Sequence, residues 1–145
     1  MLLPVEQLLK AYQEEGKAAF PVVGSAFSVA LAMKDGLSKP RQAYVVPLPS
    51  SYQPGTKDLG PLLQTGQFEF GVVVGAKLID DPRGEKGNKV MDELSKSVIA
   101  ALMGKQPSEY AERIELSRID PIGIKENAIW ILYRFKTMVR VHQGA

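Results

Sequence analysis

Apolar residues alternate with polar or small ones over two long stretches of the chain. Between Gln67 and Ile79 (QFEFGVVVGAKLI), Phe68, Phe70, Val72, Val74, Ala76 and Leu78 share one face. Gln67, Glu69, Gly71, Val73, Gly75 and Lys77 share the other. Between Ala128 and Val141, Ile129, Ile131, Tyr133, Phe135, Val139 and Val141 point one way, whereas Trp130, Leu132, Arg134, Lys136, Met138 and Arg140 point the other. A period of two predicts strands with one face on a core and the other in a wetter setting. Shorter runs at Ala18 to Val23 and Ala43 to Leu48 predict two further strands, with Pro21 at an edge or a bulge of the first. Arg113 to Ile124 predicts a strand bent at Asp120-Pro121, joined to the closing strand by a turn at Lys125-Glu126-Asn127.

Helical spacing appears elsewhere. Val5, Leu8, Leu9 and Tyr12 oppose Glu6, Lys10 and Glu14, which predicts an amphipathic helix over about 4–15, opened by Pro4 and stopped by Gly16. Met91, Leu94, Val98 and Leu102 form a second stripe, capped at Asn88 and ended near Met103 by Gly104 and Pro107. Gly24 to Lys34 is contested. Phe27, Val29, Leu31 and Met33 alternate as in a strand, yet Ala26, Ala30 and Ala32 favour a helix that Ser25 caps and Gly36 ends. The helix is the expectation, because its small residues allow close packing on a sheet. The element order then predicts a single α+β domain over 1–145, a mainly antiparallel mixed sheet with helices packed on one face. A Gly- and Pro-rich segment, PSSYQPGTKDLGPLLQTG, predicts a long loop at about 50–66, where connections within compact domains usually run about 4–6 residues.

Composition narrows the chemistry. The 145 residues are 45% hydrophobic and 23% charged, ordinary values for a globular domain. There are no cysteines, which excludes disulfides, thiolate metal sites and cysteine nucleophiles. The start, MLLPVEQLLK, lacks the basic and long apolar regions of a signal peptide, and no run reaches the roughly 18 apolar residues that span a bilayer. No membrane association is expected. The net charge of +2 is too small to imply nucleic-acid binding by itself.

No catalytic set emerges. The single histidine, His142, lies near the terminus and reads as a solvated side chain. Asp80 and Asp81 are adjacent and suit a turn better than a metal site. The segment Arg83-Gly84-Glu85-Lys86-Gly87-Asn88-Lys89 lacks the phosphate-loop pattern, although a basic, Gly-containing helix start is able to hold an anion. Arg83, Lys86 and Lys89 are anion candidates on that ground, against the plainer reading of a flexible loop. Arg134, Lys136 and Arg140 form a basic stripe beside Trp130. Three readings apply to it: a solvated outer face, a nucleic-acid contact, or a subunit or pore-lining surface. No enzyme activity, metal or cofactor is expected.

Several blocks follow one another in a familiar order: PVVGSAFSVALAM, RQAYVVPLPSSY, GQFEFGVVVGAKLIDDPRG, VMDELSKSVIAALMGKQP and AIWILYRFKTMVRV. Over residues 20 to 141 the chain resembles the tail-terminator, or tail-completion, proteins of long-tailed phages and their prophage relatives. Lys105 stands where that family usually carries an aromatic. The resemblance implies a small α+β protein of the bacterial cytoplasm that is incorporated in the virion. It implies a homo-oligomer, typically a hexameric ring, that caps the tail tube and presents a surface for joining the head. Its partners would be the tail-tube protein and a head-completion protein, with DNA passing through the lumen unread. On that reading Tyr52, Leu62 and Leu63 are candidate subunit or tube contacts. The alternative for the Leu62-Leu63 pair is a loop folded back with both residues in the core. Arg83, Lys86, Lys89, Arg134, Lys136 and Arg140 are candidate lumen or anion contacts. The competing function is a small nucleic-acid-binding adaptor that uses the basic face of the last strand.

Overall fold

The computed structural model of the chain describes residues 2–14, 22–24, 26–37, 40–55, 60–77, 85–125 and 127–143. Three helices and six strands follow in the order α1 (Leu2–Glu14), β1 (Val22–Gly24), α2 (Ala26–Asp35), β2 (Arg41–Pro47), β3 (Ser51–Tyr52), β4 (Leu63–Lys77), α3 (Glu85–Leu102), β5 (Glu115–Lys125) and β6 (Ala128–His142). The strands make one sheet in the order β1-β2-β4-β6-β5, with β3 added to β4. Among the described strands only β1–β2 is parallel, with α2 as its crossover, so the α+β, mainly antiparallel architecture is as expected.

β4 and β6 are the spine. Each has 15 residues, and they pair without a break from Leu63↔His142 to Lys77↔Ala128. At about 3.4 Å per residue the ladder is some 50 Å long. On one face Phe70 and Phe135 are direct cross-strand partners, stacked with ring centroids 5.5 Å apart. Val72, Val74, Ala43, Val45 and Tyr133 extend that face, and α1 (Val5, Leu9) and α3 (Leu94, Val98, Leu102) close it. Burying each such Phe or Leu side chain contributes about 1.5–3 kcal/mol. The Tyr133 hydroxyl pairs with Ser95 Oγ at 2.8 Å, which gives its buried polar end a partner on α3. Burial raises the Tyr133 pKa above the ordinary phenol value, and the Ser95 bond opposes that shift.

The reverse face carries a second, smaller core. Val29, Ala32 and Leu37 pack on Tyr44, Val73, Ala128 and Trp130. Helices on one face therefore describes α1 and α3, whereas α2 lies across the back. The helix expected at Gly24 to Lys34 is present from Ala26, whereas Gly24 ends β1 and the expected cap Ser25 lies outside the described residues, and burial shows why helix prevailed over alternation. Val29 and Ala32, one turn apart, are buried while the intervening Ala30 and Leu31 are exposed, Leu31 at 62%. The helix ends where Gly36 takes φ 93° and donates its N–H to the Ala32 carbonyl. Trp130 shares its strand face with the basic stripe, as expected, but is fully buried under this helix. The second face of β4 is thus wet towards its start and at Lys77 at its end, and dry between them at Gly71, Val73 and Gly75.

Boundaries moved in a few places. The strand expected at 18–23 is described only as β1 at its end, and Pro21 lies outside the described residues, as do Asp80 and Asp81. Helix α3 starts at Glu85, one turn before the expected cap at Asn88. The segment expected as a loop at about 50–66 is partly sheet: β3 pairs Ser51↔Gln67 and Tyr52↔Gly66, and β4 begins at Leu63. Its polar and glycine residues suit an exposed strand pair as well as a loop. Register shifts flank Arg118 and Pro121 on β5, so the expected bend near Asp120-Pro121 is present as bulges on an edge strand. Asn127, with φ 57°, turns the β5–β6 hairpin.

Gly75 sits directly across from Trp130, and a Cβ there would fall 2.6 Å from the indole ring. Gly75→Ala is expected to displace Trp130 and cost about 1–3 kcal/mol. Urea unfolding followed by fluorescence checks this cleanly, because the chain has one tryptophan. An unchanged midpoint and emission maximum would show that the ring is not seated against the strand.

Candidate functional site

Two surfaces follow from the long β4–β6 ladder. The first is an arm. β2 covers β4 only over Phe70–Ala76, so Leu63 to Glu69 and their β6 partners continue past it. Their outer edges are covered by short segments rather than by full strands. On one side Gln53 N donates to the Thr65 carbonyl. On the other, Glu112 N donates to the Met138 carbonyl and Arg140 N to the Tyr110 carbonyl. At the tip, Gln143 N donates to the Leu62 carbonyl, while Leu62 N donates to Gln143 Oε1 at 2.9 Å. The backbone of the arm is thus held, yet its apolar side chains are not enclosed. Tyr52, Leu62, Tyr110, Met138 and Val141 are between 42% and 48% exposed.

One side of the arm is hollow. Tyr52, Phe68, Tyr110, Val139 and Val141 line an open groove of about 540 Å³. Gly66 makes room for the Tyr52 ring, since any Cβ at that position would collide with it. His142 is half-buried, with its ring edge-on to Tyr110 at 5.0 Å, so it is a packed side chain and not the freely solvated one expected.

The second surface is the half of the reverse face that α2 leaves uncovered. Here Lys136 of β6 stands across from Glu69 of β4 and from Glu115 of β5. Beside this row, Arg134 Nε donates to Asp120 Oδ2 at 2.6 Å, and Arg118 Nε reaches Asp120 Oδ1 at 2.7 Å. Those two guanidinium groups, Arg134 first, hold the Asp120 carboxyl below its ordinary pKa. Three cations and three carboxylates thus share the patch, which carries no net charge.

Of the expected site residues, Tyr52 and Leu62 lie together on the arm, and both are exposed. Leu63 is a half-buried strand residue, and neither it nor Leu62 belongs to either core. Arg134, Lys136 and Arg140 do share a face, with Arg140 exposed and across from Thr65. Arg83 lies outside the described residues, and the Lys86 side chain is likewise not described. Lys89 is exposed on α3, which packs on the opposite face of the sheet from the β6 stripe. The described cations therefore do not form one site. Sequence reasoning missed the carboxylates among them, although Arg118-x-Asp120, two apart on one strand, was a usable signal. It also missed Tyr110, Met138 and Val141, which enter only through the pairing of 108–112 with β6.

Among the described residues no three His, Asp or Glu side chains converge as metal ligands, and no helix is long and apolar enough to cross a membrane. A small α+β domain with an apolar arm and a charge-paired sheet face has the surfaces of a protein that works through contacts with other macromolecules. The chain belongs to the phage tail terminator family, whose model matches residues 4–145. It is a structural protein of the phage tail. A search of curated proteins finds no match to it.

The Asp120 contacts carry a pH signature. A carboxyl whose folded pKa is lowered adds stability above its ordinary value of 3.8 and loses it as pH falls through the lowered value. Wild type and Asp120→Asn should differ in melting temperature near neutral pH and converge below the ordinary carboxylate range. A gap that persists undiminished in acid would assign the effect to shape and not to charge.

Proposed function

We propose that the chain assembles head-to-tail into a ring, of hexameric type, that caps the tail tube and offers a surface for head joining. Membership of the terminator family across residues 4–145 is the observation that carries this reading. The arm supports it physically. A heterologous ring needs protruding contacts that fit a different patch on the neighbour. The half-exposed aromatic and aliphatic side chains Tyr52, Leu62, Tyr110 and Val141 are the residue types that carry interface energy once desolvated. In this reading the tail-tube protein and a head-completion protein are the partners, catalysis plays no part, and DNA passes without sequence readout.

The adaptor reading rested on Arg134, Lys136 and Arg140 as a free basic stripe. Carboxylates of the flanking strands match two of those three cations, and such a face offers little to a phosphate backbone. That favours assembly over nucleic-acid binding.

Light scattering over a wide concentration range, followed by capping of tail-tube polymers, tests the proposal. Wild type should form a closed ring-sized species or arrest tube growth. Tyr52→Ala combined with Val141→Asp should stay folded and lose both properties. Full capping by this double variant would remove the arm from the contact surface. Wild type that neither self-associates nor caps would overturn the ring.

A further inference from the structure

The uncovered half of the reverse face holds three cations, Arg118, Arg134 and Lys136, interleaved with three carboxylates, Glu69, Glu115 and Asp120. We infer that this surface is a latent polyanion-binding face kept silent by its own carboxylates, with Asp120 as the principal mask.

The geometry supports a mask more than a set of stabilising surface pairs. Exposed ion pairs contribute little to folding, typically about 0–1 kcal/mol, so stability alone gives weak reason for one carboxylate to bridge two strands. Asp120 uses both oxygens, one on each guanidinium, at 2.6 and 2.7 Å. Each arginine thereby commits its Nε–H, one of the donors with which it would fork onto a phosphate. Lys136 is flanked across both of its ladders, by Glu69 on β4 and Glu115 on β5. Every cation of the patch therefore has a carboxylate on an adjoining position. The sheet holds these groups at fixed spacing, so the neutralisation needs no rearrangement. Arg140, further along the same face across from Thr65, lies outside the mask and extends the cationic line that unmasking would open.

A polyanion close to such a face finds no net charge to displace its counterions, and therefore little affinity. Removing one carboxylate exposes two guanidinium groups at once. The biological use of the mask, letting DNA move past without retention, rests on the terminator reading. The masking itself is a property of one folded chain and needs no ring.

The test measures binding of a short DNA duplex by fluorescence anisotropy as a function of salt, for the full chain and for folded Asp120→Asn. Each phosphate contact adds about −0.9 to the slope of log K against log salt. Wild type should bind weakly with a shallow slope, and Asp120→Asn should gain affinity with a slope steeper by about 1–2. Adding Glu69→Gln and Glu115→Gln should steepen it again. Asp92→Asn, an exposed position on α3, makes the same net charge change away from the face and should gain nothing comparable. Equal slopes for wild type and Asp120→Asn overturn the inference, as does an equal gain in the Asp92 control. Circular dichroism confirms that each variant is folded, and the single Asn substitution keeps the shape of the side chain if the triple variant unfolds. Ring formation is read separately by light scattering, so failure of the mask and failure of the ring give different results.

Discussion

The unbroken antiparallel pairing of β4 with β6 is the constraint on which the rest of the structure depends. Fifteen residue pairs in one register place Phe70 against Phe135 and Gly75 against Trp130. The first pair seeds the core under α1 and α3, and the second admits the indole that α2 covers. A slip of one residue would exchange the two faces, putting Arg134 and Lys136 under helices and the phenylalanines in water. The register is therefore fixed from both sides of the sheet. Because the ladder is longer than β2, the same pairing that builds the cores also carries the arm beyond them. Core and candidate interface are consequences of one strand pair.

Much of this was legible in the sequence, and the legible parts share a cause. The alternation in β4 and β6 is long enough for the period of two to outweigh local noise, and the faces it assigned are those observed. The β5–β6 turn at Asn127, the α3 stripe and the stop at Gly36 rest on local backbone preferences that tertiary context left alone. The terminator resemblance, drawn from the order of such elements, agrees with the family match. What could not be read was which neighbour covers each face. Trp130 shares its strand face with Arg134 and Lys136, so pattern alone put all three in one environment. The boundary between them is set by where α2 ends, and a single strand carries no mark of that. In the same way, the polar and glycine residues of Gln64 to Gly66 suit an exposed strand as well as a loop, and only pairing with β6 decides between them.

The site residues divide along the same line. Tyr52 and Leu62 come from one segment, and the structure leaves both exposed on the arm. The basic stripe was assigned correctly to one face but not to one electrostatic state, because charge on a sheet is a property of adjacent strands. Arg134 belongs with Asp120, fourteen residues earlier, and Lys136 with Glu69, which is far away in sequence. Counting the cations of β6 alone describes a nucleic-acid surface. Counting across β4, β6 and β5 sets three carboxylates against Arg118, Arg134 and Lys136 and leaves Arg140 alone without one among the described residues.

That difference bears on how a terminator would meet DNA. A lumen with unpaired cations would retain the duplex through released counterions, with an affinity that rises with each phosphate contact. One with only carboxylates would repel it and would set like charges against one another around a closed ring. Cations and carboxylates in alternation on a rigid sheet avoid both outcomes, since both arginines share the Asp120 carboxylate, Lys136 has a glutamate at the facing position of each neighbouring strand, and the field decays quickly with distance. The sheet achieves this with β-strand geometry alone, which places opposite charges about 4.5–5.5 Å apart across a ladder. The bulged edge strand brings Asp120 between two guanidinium groups where a regular strand would keep the alternation strict. The irregularity of β5 is thus tied to the electrostatics of the face, and the local kink and the charge balance are two aspects of one arrangement.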